Sequence, residues 1–143
     1  MTKLRALIVL AGILVAMVSL GQTVMIVNTD HPATAASAAD ISNIYLGKTT
    51  MLNGAKVVPV DQKKDTEAGK HFLSAIVKMD ESTYKNLWVE KLLSGEATPP
   101  VMKSSDAEVV SFVQSTPGGI GFVSASADVS GVKVVAVDGK KEW

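Results

Sequence analysis

The sequence predicts an α/β fold: one domain with a mixed, mostly parallel sheet flanked by helices on both faces. Three observations predict it. Short valine-rich runs alternate with longer stretches whose apolar residues recur at helical spacing. The helical stretches open on Ser or Asp and stop at Gly or Pro-Gly. The element order reads β-α-β-α-α-α-β-β, a pattern that wraps helices around a sheet.

The chain has 143 residues, and the first 21 read as an export signal. Lys3 and Arg5 form a positive start, Ala6 to Leu20 is almost wholly apolar, and Ser19-Leu20-Gly21 offers small residues for cleavage after Gly21. The rival reading is a retained membrane anchor, because Val24 to Val27 nearly extends the run to the ~20 residues that a span needs. Val24–Val27 is better used as a strand, so the signal is preferred. The periplasm is then the expected compartment. Residues 22–143 form the single domain, long enough for one modest core.

Gln22 to Asn28 is a short apolar run with β-branched Val24, Ile26 and Val27, closed by Asn28-Thr29-Asp30-His31-Pro32. It predicts a buried strand. Ala33 to Ala39 is a connection. Ser37 with Asp40 starts a helix in the manner of a capping box, Ile41, Ile44 and Tyr45 give it an inner face, and Gly47 stops it. Lys48 to Lys56 is a loop around the turn pair Asn53-Gly54. Val57 to Val60 is a second strand. Its Pro59 lacks an N–H, which places it near an edge or at the strand's tip.

A helix is expected from about Asp65 to Lys78, with Ala68, Phe72, Ala75, Ile76 and Met79 in period. Asp80 caps the next, whose apolar stripe is Tyr84, Leu87, Trp88 and Leu92 and whose stop is Gly95. Ala97-Thr98-Pro99-Pro100 is a stiff extended link. Ser105 and Glu108 make a capping box for a helix to Ser115 or Thr116, with Val109, Phe112 and Val113 inward. Ile120 to Ala125 and Val132 to Val137 are the last strands.

Composition excludes several functions. The full chain carries 14 basic and 14 acidic side chains, and loss of Lys3 and Arg5 leaves a formal charge of −2. No basic face points to nucleic acid. There is no cysteine, hence no disulfide and no thiolate ligand. His31 and His71 are the only histidines and form no metal cluster. The serines have no adjacent histidine or acid at nucleophile spacing, and no Gly-x-Ser-x-Gly elbow occurs. Gly118-Gly119-Ile120-Gly121 follows a helix and precedes a strand, the reverse of a dinucleotide loop. A non-enzyme without a cofactor is expected.

The stretch that invites a ligand is Val57 to Phe72, a strand, a polar turn and a helix start. Such a junction aims backbone N–H groups and the positive end of a helix at the turn, where an anion can sit. The alternative is a capped helix start with solvated lysines. His31 lies at the carboxyl end of the first strand and so could reach the same cleft. Tyr84 and Trp88, four apart on one helix face, read as core.

Several fragments together resemble one family. Ile41-Ser42-Asn43-Ile44-Tyr45-Leu46-Gly47-Lys48 is similar to the I-x-x-I-F-x-G-K helix end of phosphate-type periplasmic substrate-binding proteins. Asn53-Gly54 followed by Val57-Val58-Pro59-Val60 resembles their approach to the ligand loop. Tyr84, Trp88 and Gly95 fit as well, and Thr116-Pro117-Gly118-Gly119-Ile120-Gly121-Phe122-Val123 resembles their T-P-G-A-I-G-Y-V signature. The resemblance covers nearly all of residues 22–143. It implies a single lobe of a type II periplasmic binding protein fold, where full-length members are two-lobed clamshells.

It also implies a ligand, a small anion with phosphate first, held by Gln62, Lys63, Lys64, Thr66 and the backbone of Ala68 and Gly69. The loop departs from the family pattern. Gln62 stands where the family carries arginine, Glu67 where it carries glycine, and Ala68 where it carries threonine; Thr66 keeps the hydroxyl of the family's serine. The second expectation is an envelope interaction module, docking to another protein or to its own copy, because an orphan lobe exposes an apolar rim.

Overall fold

The computed structural model describes residues 22–143. The expected signal segment, residues 1–21, lies outside the described residues. Among them no helix is long and apolar enough to cross a membrane.

The first strand, β1 (Thr23–Val27), is buried along its whole length. A two-residue strand β2 (Ala35–Ala36) leads to helix α1 (Ala38–Tyr45). Ser37 caps α1 by accepting from Asp40 N, and the Asp40 carboxylate accepts Ser37 N in return, so the box is complete. Gly47 follows at φ +72°, and a Cβ there would lie 2.8 Å from the Trp88 ring, so both conformation and space demand glycine.

Asn53 and Gly54, both at positive φ, turn a small hairpin of β3 (Met51–Leu52) and β4 (Ala55–Lys56) inside what the sequence presents as a loop. Strand β5 (Val58–Gln62) then feeds helix α2 (Glu67–Phe72). The expected continuous helix to Lys78 changes pitch. Leu73–Val77 form a π-helical turn that ends on Lys78 at φ 56°, whose N–H bonds Leu73 O at 2.7 Å. This turn keeps Leu73, Ile76 and Val77 buried.

Helix α3 (Glu81–Ser94) starts on Asp80, whose carboxylate accepts Thr83 N, and ends at Gly95. The Pro99-Pro100 link runs into an unforeseen edge strand, β6 (Val101–Lys103). Helix α4 (Asp106–Ser115) is capped by Ser105, while Glu108 reaches back to Ser104 N rather than Ser105 N. Strands β7 (Gly119–Ser124) and β8 (Lys133–Val137) complete the fold.

Six strands form one sheet in the order β2-β8-β1-β7-β5-β6. Five run in one direction. β1 alone runs against both its neighbours, β7 and β8. The sheet is therefore mixed and mostly parallel. The single antiparallel strand corrects one expectation. The carboxyl end of β1 lies beside the start of β7, where Asn28 N bonds Gly119 O, at the opposite edge of the sheet from Gln62. His31 does not reach the β5–α2 turn. It is buried, and its Nδ1 accepts Ala33 N.

Alternation along the strands divides the core in two. Met25, Val27, Ile120 and Phe122 face α1 and α2, where Phe72 stacks on Phe122 at 3.9 Å and Tyr45 meets Phe72 edge-on at 4.7 Å. Val24, Ile26, Val60 and Val123 face Val109 and Val113 of α4. The Tyr45 hydroxyl donates to Val60 O at 2.9 Å, and burial pushes its pKa well up, so it stays neutral. Pro59 sits in an inner strand, but β6 begins opposite Val60, so the missing N–H falls where no neighbour strand runs.

Candidate functional site

The β5–α2 turn lies at the carboxyl end of a parallel strand, where ligands gather in open α/β sheets. Its side chains divide into two sets.

One set points inward. Asp61 and Lys64 are buried, with side chains 2% and 4% exposed, and they form an ion pair. Asp61 Oδ1 also accepts Gln62 N at 2.8 Å, and Oδ2 accepts the Tyr84 hydroxyl at 2.7 Å. Lys64 Nζ donates to Gln62 O at 2.9 Å and lies over the Tyr84, Phe122 and Phe72 rings at 5.0, 5.5 and 5.8 Å. Burial lowers the Lys64 pKa, and the Asp61 carboxylate opposes that shift. Burial, then the Asp61 charge, raises the Tyr84 hydroxyl far above its ordinary value, so Tyr84 is a fixed donor. The buried Gln62 amide donates to Asp106 Oδ1 at 3.1 Å and Phe122 O at 3.3 Å. Asp106 in turn accepts from Ser124 N at 3.1 Å and from the Ser124 hydroxyl. Gln62 thus ties the end of β5 to α4 and β7.

The other set faces outward. Lys63 and Lys70 are exposed, and Thr66 is half-buried. Thr66 Oγ1 donates to Lys63 O at 2.7 Å and accepts Gly69 N at 3.1 Å, so the hydroxyl caps α2. Ala68 and Gly69 are buried beneath it. A Cβ on Gly69 would collide with the Lys63 carbonyl, so the turn closes tightly only because that position is glycine. Of the six residues singled out from the sequence, Lys63 and Thr66 meet at the surface, while Gln62, Lys64, Ala68 and Gly69 support the turn from within. Glu67, exposed in the first turn of α2, complements the helix dipole and places a negative charge beside the lysines.

The structure adds what sequence reasoning missed. A groove of ≈ 660 Å³ opens beside the turn. The Asp61–Lys64–Tyr84 cluster forms its floor, α3 one wall and the Pro99–Met102 segment the other. Lys64 stands three residues after Asp61, but only the fold brings Tyr84 to them. Leu92, expected to face inward, is 55% exposed; Tyr84 and Trp88 are the buried residues of α3, with Leu87 partly buried against the core. Trp88 Nε1 donates to Tyr45 O at 3.0 Å. His71 lies away from the groove, with Nδ1 2.8 Å from Thr23 Oγ1 and its ring 5.2 Å from that of Trp143. Among the described residues no three His, Cys, Asp or Glu converge as a metal site.

Solved structures share this fold. A substrate-binding protein assigned to phosphate ABC transport in Clostridium perfringens, solved with bound phosphate, superimposes with a TM-score of 0.64 at 23% identity, over 82% of this chain and 45% of its own. An ABC-type phosphate transport receptor from Vibrio cholerae gives 0.66 at 16% identity, over 85% and 48%. PstS from Borrelia burgdorferi gives 0.62 at 12% identity, over 85% and 53%. The chain spans about half the length of these proteins, so the shared fold is one lobe's worth of theirs. No family model and no curated protein sequence matches the chain.

Proposed function

We propose that the chain is an exported, periplasmic, solute-binding-like domain that binds a small oxyanion, phosphate first, non-covalently on the outer face of the β5–α2 turn, without catalysis. The observation that carries this reading is the fold. The solved structures that share it include a substrate-binding protein solved with phosphate bound, and the turn sits at the carboxyl end of a parallel strand. In this reading the Lys63 and Lys70 ammonium groups supply charge. The first N–H groups of α2, held in place by the Thr66 cap, supply directed donors. Gln62 and Lys64 contribute by holding the turn rigid from below, and Gly69 by letting it close.

Affinity is expected to be modest. The lysines are exposed, where one charge pair at 4 Å contributes ~1 kcal/mol, and the Glu67 carboxylate opposes a dianion. The expected dissociation constant is therefore on the order of millimolar, ~4 kcal/mol of binding free energy. Phosphate should raise the melting temperature by mass action, beyond chloride at equal ionic strength. Lys63→Ala with Thr66→Ala should remove that rise. Equal melting curves in phosphate, sulfate and chloride would sink the proposal.

The exposed apolar walls of the groove favour a second reading, an envelope interaction module. Recovery of one dominant envelope partner by crosslinking, with no anion response, would favour it over the first.

A further inference from the structure

We infer that the oxyanion held at the β5–α2 turn carries an apolar group: the ligand is a small phosphate monoester whose single ring or short alkyl chain lies in the groove between α3 and β6. The inference rests on the anion reading above and deepens it.

The first observation is that cations and apolar walls share one cavity. Lys63 and Lys70, which supply charge in the anion reading, line the same groove as Val89, Leu92, Pro99 and Pro100. Its volume of ≈ 660 Å³ lies in the range of ~300–1,000 Å³ that pockets for small organic molecules span. A bare phosphate ion would occupy only the end beside the lysines.

The second observation is a change of polarity along the groove. One face of α3 runs along it, with Glu81, Tyr84, Lys85, Trp88, Val89 and Leu92 at helical spacing. The Tyr84 hydroxyl donates to Asp61 Oδ2 at 2.7 Å, so the first half of α3 lies against the β5–α2 turn. The exposed groove residues of that half are Glu81 and Lys85. In the second half they are Val89 and Leu92, 46% and 55% exposed. From Lys85 to Leu92 the helix advances ~10 Å, room for one ring or a short chain but not for a lipid tail. Met102 stands opposite Asp61 in the parallel pair of β6 with β5, so it turns to the same face of the sheet and lines the groove, 48% exposed. Its flexible thioether adapts to either shape. A ligand with charge at one end and a single apolar group at the other follows this order.

The third observation is the balance of charge. Asp61 and Lys64 neutralise each other on the floor. Exposed Lys63, Lys70 and Lys85 stand against exposed Asp65 and Glu81, three charges against two, which leaves a surplus of one positive charge. A surplus of one among solvated side chains favours an anion without holding it tightly. The further affinity has to come from apolar contact, and Val89, Leu92 and Met102 offer it.

The test is titration of isotope-labelled protein with inorganic phosphate, methyl phosphate, phenyl phosphate and phenol, followed by backbone amide chemical shifts. Phenyl phosphate should bind about tenfold more tightly than inorganic phosphate, the effect of burying roughly 60 Å² of apolar ligand surface. It should also shift the amides of Val89, Leu92 and Met102, which inorganic phosphate leaves in place. Methyl phosphate, an ester without the ring, should stay within about twofold of inorganic phosphate. Val89→Gln with Leu92→Gln changes exposed side chains only, so it should abolish the preference for phenyl phosphate and leave inorganic phosphate binding unchanged. Equal affinities for phenyl and inorganic phosphate, both bound, overturn the inference and leave the anion reading standing. A preference that survives in the double variant, or phenol bound as tightly as phenyl phosphate, also overturns it. No response to inorganic phosphate or to either ester removes the anion reading and the inference together.

Discussion

Lys64→Met tests the inward half of the β5–α2 turn. Lys64 and Asp61 are buried to within a few per cent, and Asp61 takes its charge compensation from the Lys64 ammonium. With methionine at position 64 the carboxylate keeps the Tyr84 hydroxyl and the Gln62 N–H as donors but loses its counter-ion. Breaking a buried pair from one side costs ~3–5 kcal/mol. The two remaining hydrogen bonds place this case near the lower end, ~3 kcal/mol. A domain of this size loses roughly 3–6 °C of melting temperature per kcal/mol, so a fall on the order of 10–20 °C is expected. Urea titration supplies the free energy directly. Asp61→Asn with Lys64→Met removes both charges and keeps the amide oxygen as acceptor for Gln62 N, while the amide NH2 donates to the Tyr84 hydroxyl oxygen, so it should recover at least ~2 kcal/mol of the loss. A loss under ~1 kcal/mol, the value for an exposed pair, would refute the reasoning. So would a double variant no more stable than the single one.

Two further outcomes follow from neighbouring geometry. Gly69→Ala drives a methyl group against the Lys63 carbonyl and should cost ~1–3 kcal/mol by urea titration; a neutral or stabilising result, as at an open helix site, would contradict the close approach. Burial lowers the His71 pKa below 6.5. As pH falls, the unfolded chain therefore takes up the proton before the folded one, so the contribution of His71 is complete above 6.5 and is lost as pH drops through the folded value. His71→Gln should flatten the melting temperature against pH just below 6.5, and identical slopes would count against it.

The helices were largely legible in the sequence because their signals are local. Ser37–Asp40, Asp80 and Ser105 each close within one turn and cap a helix as expected, although Glu108 returns its bond to Ser104 N and leaves the expected box incomplete. The long strands were legible from β-branched runs. Two- and three-residue strands such as β2 and β6 carry no period to detect, so they read as links. The direction of β1 was also hidden, since strand sense depends on partners distant in sequence. The candidate site was legible in place and not in orientation. Gln62 and Lys64 are polar and read as surface, yet Asp106, Asp61 and Tyr84, brought in by other elements, give them partners that permit burial. Leu92 erred in the opposite sense, an apolar residue in helical period with nothing packed above it.

The reversed strand β1 also sets when the domain can form. Its two neighbours, β7 and β8, join it through pairs such as Thr23 with Ser124 and Met25 with Val135, each about 100 residues apart in the chain. The centre of the sheet therefore stays open until β7 and β8 are available. Closing so large a loop costs entropy before any pairing returns it, which makes folding slow and all-or-none rather than stepwise from the N-terminus. A polypeptide emerging in order from a ribosome or a membrane pore would hold its first strand unpaired throughout. Availability of β7 and β8 then becomes the event that commits the sheet to its native pairing.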